Sequence, residues 1–110
     1  MLGFAEKVLC YTDGFDQQGF VESGLNYDAT VRNLELIAEA ATHIPESIRL
    51  KTSEIPWRMI IATRNRLIHG YLGIDNDTLW SIIQTDIPAL IPLLMRLKAL
   101  NFISNNNGST

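Results

Sequence analysis

The 110-residue chain predicts an all-α protein, a bundle of four to five helices. Three observations carry that prediction. No segment sustains the apolar–polar alternation that a half-buried strand shows between turn residues. Apolar residues recur instead at spacings of three and four, the period of a helix that buries one face. The composition, 46% apolar and 19% charged, supports one packed core at a length usual for a single domain. Residues 1–103 are read as that domain and 104–110 as a polar, Gly/Asn-rich tail that frays.

The first element, Met1 to about Tyr11, reads as a helix ended by Asp13 and Gly14, and Phe15 to Ser23 as a short helix between turns. The clearest period runs from Asn26 to Ile44. There Tyr27, Val31, Leu34, Ala38 and Ala41 share one face, while Asp28, Arg32, Glu35, Glu39 and Thr42 fall elsewhere. Asn26 is the predicted N-cap, and Pro45 stops this helix because the residue before a proline disfavours helical backbone. His43 becomes a helix-end residue beside the last carbonyls. Pro45 to about Lys51 gives one or two helical turns, with the proline tolerated in the first. A further helix starts near Pro56 and runs at least to Ile68. Asp77 caps the last and longest, roughly Thr78 to Ile103, which Pro88 and Pro92 should bend by removing backbone donors.

Several functional classes are disfavoured. A transmembrane helix needs about 20 consecutive apolar residues. The richest run, Ile87 to Leu94, is short and holds two prolines, so no membrane span is expected. The N-terminus lacks the pattern of a signal peptide, so the expected location is cytoplasmic. Cys10 is the one cysteine and cannot pair within the chain; it reads as a small buried apolar side chain. Two histidines and one cysteine offer no convincing metal site, and no cofactor is expected. The net charge of −3 argues against a generic nucleic-acid binder, which is usually basic. Its distribution argues the other way. Arg49, Lys51, Arg58, Arg64 and Arg66 are five of the nine Lys and Arg residues, and only Glu54 opposes them within that stretch. Such a segment can hold a phosphate or can be a solvated charged face.

The helix from Trp57 carries an anomaly. At about 100° per residue, Trp57, Ile60, Ile61, Leu67 and Ile68 form one apolar stripe, and Arg64 lies in the middle of it. Arginine is rarely placed on a burying face without a partner. Asn65 and His69 share an adjacent face with Arg58 above them, while Arg66 points elsewhere. Tyr71 follows Gly70, which can end the helix. Guanidiniums, an amide, an imidazole and a phenol are groups that hold and cleave a phosphodiester. Bland readings exist for each. Arg64 can pair with Glu35 or Glu39, His69 can be a surface histidine, and Tyr71 can be a core aromatic. Arg64 and His69 also differ by about 140° around a regular helix, so they converge only if the helix breaks or a second subunit completes the site.

The string Arg64-Asn65-Arg66-Leu67-Ile68-His69-Gly70-Tyr71 resembles the Arg–x4–His–x–Tyr motif of HEPN toxins, in particular the HepT type paired with MntA antitoxins. Asn33 to Ala41, Ile55-Pro56-Trp57-Arg58, Trp80 and Asp86-Ile87-Pro88 extend the likeness over most of residues 26–100. The resemblance implies a four- to five-helix HEPN-like bundle that forms a homodimer with two motifs at one cleft. It implies a toxin that is a metal-independent endoribonuclease, with Arg64 and His69 catalytic and Asn65 and Arg66 supporting the phosphate. The expected product is a 2′,3′-cyclic phosphate, made by attack of the ribose 2′-hydroxyl. It also implies an MntA-type nucleotidyltransferase antitoxin that silences the enzyme by adenylylating Tyr71. The competing readings are a non-catalytic helical module that binds nucleotide or protein, and a structural network of Arg64, Glu35 or Glu39, and Tyr71.

Overall fold

The computed structural model describes residues 1–68 and 75–108, with side chains described as far as Leu67 and again from Asp75 to Ala99. Every regular element among them is helical: α1 (Leu2–Thr12), α2 (Gln17–Glu22), α3 (Gly24–Thr42), α4 (Glu46–Lys51), α5 (Trp57–Ile68), α6 (Asn76–Ser81) and α7 (Ile87–Gly108). A π-helical turn, Ile82–Asp86, joins α6 to α7 without a break. The all-α prediction holds.

Between α1 and α2 the chain turns through Gly14, whose φ of 80° is left-handed and so favours glycine. Asp16 then caps α2, its carboxylate accepting from the Gly19 N–H at 2.8 Å. Helix α3 is the centre of the bundle, packed between α1 and α5. The predicted face is buried at Leu34, Ala38 and Ala41, and Thr30, Asn33 and Ile37 widen it. Asn26 is not its N-cap, as expected, but lies inside the first turn after Ser23. Its amide donates to the Tyr11 carbonyl at 2.8 Å, serving one of the carbonyls that the end of α1 leaves unpaired. That bond docks α1 on α3.

Proline and its neighbours shape the second half. α3 stops at His43, whose backbone N–H donates to the Ala40 carbonyl at 3.1 Å, and Pro45 opens α4. The rod from α6 to α7 starts at Asp75 rather than Asp77. The Asp75 carboxylate accepts from the Thr78 N–H at 2.7 Å, the reach that a cap requires, whereas Asp77 lies in the first turn. Pro88 has no N–H for the Gln84 carbonyl and its ring crowds that carbonyl. The widened turn just before it, with the Ile87 N–H donating to the Ile82 carbonyl, accommodates the proline, so the expected disturbance takes the form of a π turn. Pro92 stays within α7, and the helix runs past the predicted Ile103 to Gly108. At 1.5 Å per residue the rod spans about 50 Å, close to the 51 Å long axis of the molecule.

Contrary to the sequence expectation, Asn76–Ala99 is long and apolar enough, by length and composition, to cross a membrane. The π turn keeps the rod continuous through Pro88, in line with the single long helix expected from Thr78. Its apolar stripe is spoken for within the protein: Leu79, Ile83, Ile87, Leu90, Leu94 and Leu97 are buried in the core cluster. Phe20, fully buried, stacks obliquely on Tyr27 and Trp80 at centroid distances of 5.5 and 5.4 Å, locking α2 between α3 and α6. Cys10 is a second correction. It is exposed, because the buried face of α1 passes through Ala5, Val8 and Thr12 and leaves position 10 on the far side.

Candidate active site

Helix α5 carries the candidate site because its two ends are tied down. The Trp57 indole N–H donates to the Thr52 carbonyl at 3.2 Å, which fixes the first turn against the end of α4. Trp57 and Leu67 are buried, and Ile60 and Ile61 are half-buried against α3. The opposite side exposes Arg58, Met59, Ala62, Asn65 and Arg66.

Arg64 is half-buried within the apolar stripe, as its position predicted. Of the two carboxylates weighed as its structural partner, Glu35 is engaged elsewhere, and Glu39, exposed on α3, makes no ion pair among the described residues. Glu35 pairs with Arg32 along α3 at 3.3 Å, and among the described residues Arg64 makes no ion pair. A long side chain in this setting packs its methylene stem on apolar neighbours and turns its charged head toward water. The guanidinium is therefore available to an anion rather than consumed by a carboxylate.

Asn65 and Arg66 continue from Arg64 on the exposed side of the last turn. Arg66 sits where the helix dipole favours a cation. It also shares its field with Asp75 at the start of α6. The Thr78 N–H, then the Thr78 hydroxyl, hold the Asp75 carboxyl below its ordinary range, and Arg66 lowers it further. His69 and Tyr71 lie outside the described residues, so the structure assembles Arg64, Asn65 and Arg66 at one helix end and leaves the other two motif positions to the sequence.

A cleft of about 450 Å³ opens beside this helix end, between α3, α5 and the rod. Its floor is apolar, built from Leu34, Ile37, Ile60 and Leu90, and its rim carries Thr63, Arg66, Thr78 and Asp86. Of the rim, sequence reasoning had singled out Arg66 alone; it missed Thr63, Thr78 and Asp86, and with them Asp75. The only signal available was Asp75-x-x-Thr78, a capping pattern that says nothing about Arg66.

Residues 1–97 match the family described as Ribonuclease HepT-like. The chain belongs to the HepT-like ribonuclease family. A Methanocaldococcus jannaschii protein named as an RNase is 36% identical over 90 residues, 82% of this chain and 83% of the relative. A ribonuclease HepT from Thermococcus cleftensis, so named as probable, is 44% identical over 62 residues, 56% of each chain. A Caldanaerobacter subterraneus protein, also named as an RNase, is 38% identical over 77 residues, 70% of this chain and 69% of the relative. No solved structure matches the chain. The family match spans α1 to α5 and most of the rod, so it includes the whole motif. The HepT-like chain is accordingly an RNA endonuclease, and the resemblance drawn from residues 64–71 identified its family correctly.

Proposed function

We propose that this ribonuclease is the toxin of a toxin–antitoxin pair and cleaves RNA without a metal. The observation that carries the chemistry is a half-buried Arg64, free of any carboxylate among the described residues, in the last turns of the helix that leads directly to His69. In the proposed reaction His69 takes the proton of a ribose 2′-hydroxyl. The 2′-oxygen attacks the adjacent phosphorus, the bond from phosphorus to the 5′-oxygen breaks, and that oxygen leaves with a proton. The products are a 2′,3′-cyclic phosphate and a free 5′-hydroxyl. Arg64 stabilises the charge that builds on the phosphorane oxygens, an electrostatic contribution worth about 3–4 kcal/mol for a well-placed donor. Asn65 and Arg66 hold the neighbouring phosphate. The roughly 140° between Arg64 and His69 on a regular helix is bridged by a homodimer, in which a two-fold axis places two motifs across one cleft.

Tyr71, two residues after His69, is the proposed point of control. A nucleotidyltransferase antitoxin that attaches AMP there would set bulk and a negative charge against Arg64 and His69, competing with RNA for the same donors. The decisive test is RNA cleavage in EDTA by the unmodified chain, His69→Ala and Arg64→Ala, with end-group analysis of the products. Cleavage by the unmodified chain alone, ending in cyclic phosphate, supports the mechanism. Cleavage that stops in EDTA and returns with a divalent cation refutes it. Peptide mass mapping after co-expression with the antitoxin tests Tyr71, and AMP on another residue, or on none, would exclude that mode of control.

A further inference from the structure

The basic segment of the sequence is divided by the fold. Arg64 and Arg66 belong to the motif end of α5, and Arg66 is already placed in the field of Asp75. Lys51 and Arg58 have no such assignment. Both are exposed, and neither joins an ion pair or a side-chain hydrogen bond among the described residues. The Trp57–Thr52 bond sets them at one corner, since each is the chain neighbour of one of the two bonded residues. Glu54, the single carboxylate of the segment, lines the apolar cleft and makes no ion pair with Arg58.

From that corner a strip runs to the motif. Arg58 and Asn65 are seven residues apart, so they stand within about 20° of one another around α5 and about 10 Å apart along it. Ala62, exposed between them, is small enough to let a polymer backbone lie close. Ten ångströms corresponds to about three nucleotides at the roughly 3.4 Å rise of a stacked strand. A guanidinium with no protein partner is the group best shaped to take a phosphate in a forked contact. The protein as a whole carries a charge of −3, so its attraction for RNA must come from local cations such as these.

We infer that Arg58, with Lys51 beside it, forms a phosphate-binding subsite that holds the RNA strand about three nucleotides from the bond cut at the motif. The inference rests on the ribonuclease reading and adds to it a residue that binds without reacting. Arg58 lies about 10 Å along the helix from Asn65, which holds the neighbouring phosphate, so it does not touch the scissile one. It strengthens the ground state and the transition state equally, which lowers KM and leaves kcat alone.

The test uses the full chain and a fluorescent single-stranded RNA of mixed sequence, 2′-O-methylated for binding and unmodified for cleavage. Fluorescence anisotropy is measured across a salt series for the unmodified chain, Arg58→Gln, Arg58→Lys, Lys51→Gln and, as a control on the rod, the exposed Arg96→Gln. Arg58→Gln should weaken binding about fivefold to tenfold and reduce the slope of log Kd against log salt by about 0.7, one phosphate contact on a single strand. KM for cleavage should rise by the same factor at constant kcat. Lys51→Gln should show a smaller version, Arg58→Lys should recover the slope, and Arg96→Gln should match the unmodified chain. An Arg58→Gln variant that keeps the affinity and slope while the unmodified chain cleaves overturns the subsite and leaves the ribonuclease reading intact. A loss of kcat at constant KM, or an equal loss in Arg96→Gln, also overturns it. If the unmodified chain neither binds nor cuts RNA, both fall together.

Discussion

Arg64→Ala should leave the fold nearly intact while removing most of the activity, and both sizes follow from the setting of the side chain. Were Arg64 one half of a buried ion pair, its loss would strand a carboxylate and cost about 3–5 kcal/mol. A domain of this size loses about 4 °C of Tm per kcal/mol, so the structural case predicts a fall of roughly 12–20 °C. The observed setting differs. The arginine is half-buried, and the candidate carboxylate Glu35 is held by Arg32 at 3.3 Å. What alanine removes is the packing of a methylene stem, about 1 kcal/mol, or a Tm change under about 5 °C. Removing a preorganised donor to a developing oxyanion costs about 10²–10³ in kcat. Differential scanning calorimetry and single-turnover RNA cleavage on the same preparation read the two quantities. A Tm drop beyond about 12 °C, or cleavage within a few-fold of the unmodified chain, would refute the argument.

Three further expectations follow from particular contacts. Ile83, fully buried at the π turn, should cost about 2–5 kcal/mol when cut to alanine, seen as a lower urea midpoint; less than 1 kcal/mol would mean the rod is not seated as described. Asp75→Ala should lower Tm at neutral pH. Because the folded Asp75 pKa is depressed below its ordinary 3.8, its contribution is fully present above that value and disappears as pH falls through the folded pKa. The Tm gap between Asp75→Ala and the unmodified chain should therefore close in strongly acidic buffer, and a gap constant with pH would discount the cap. Cys10, exposed on α1, should react fully with a thiol reagent in the native protein; protection that ends only on denaturation would show that another surface covers it.

The helices were legible because each signal is local. The face of α3 that carries Leu34, Ala38 and Ala41 was read from its period and is buried as expected, and the anomaly of Arg64 on the stripe of α5 survived as a half-buried cation. Errors arose where a side chain had a choice of partners. Asn26 has the chemistry of a cap, yet the loose carbonyl at the end of α1 is a distant acceptor that packing brings within 2.8 Å. Asp75 and Asp77 are equal as capping residues in composition, and only the backbone entering α6 selects Asp75. Cys10 was misplaced because a single small side chain carries too little periodic signal to choose a face.

The sequence by itself determined the helical class, the stops at proline, the basic segment and the motif with its family, since all of these are properties of residues near one another along the chain. Tertiary structure alone decided that Arg66 lies in the field of Asp75, and that α3, α5 and the rod enclose a cleft beside the motif. Those are through-space relations between elements set by packing angles and burial, and electrostatic coupling depends on such distances, whatever the separation along the chain.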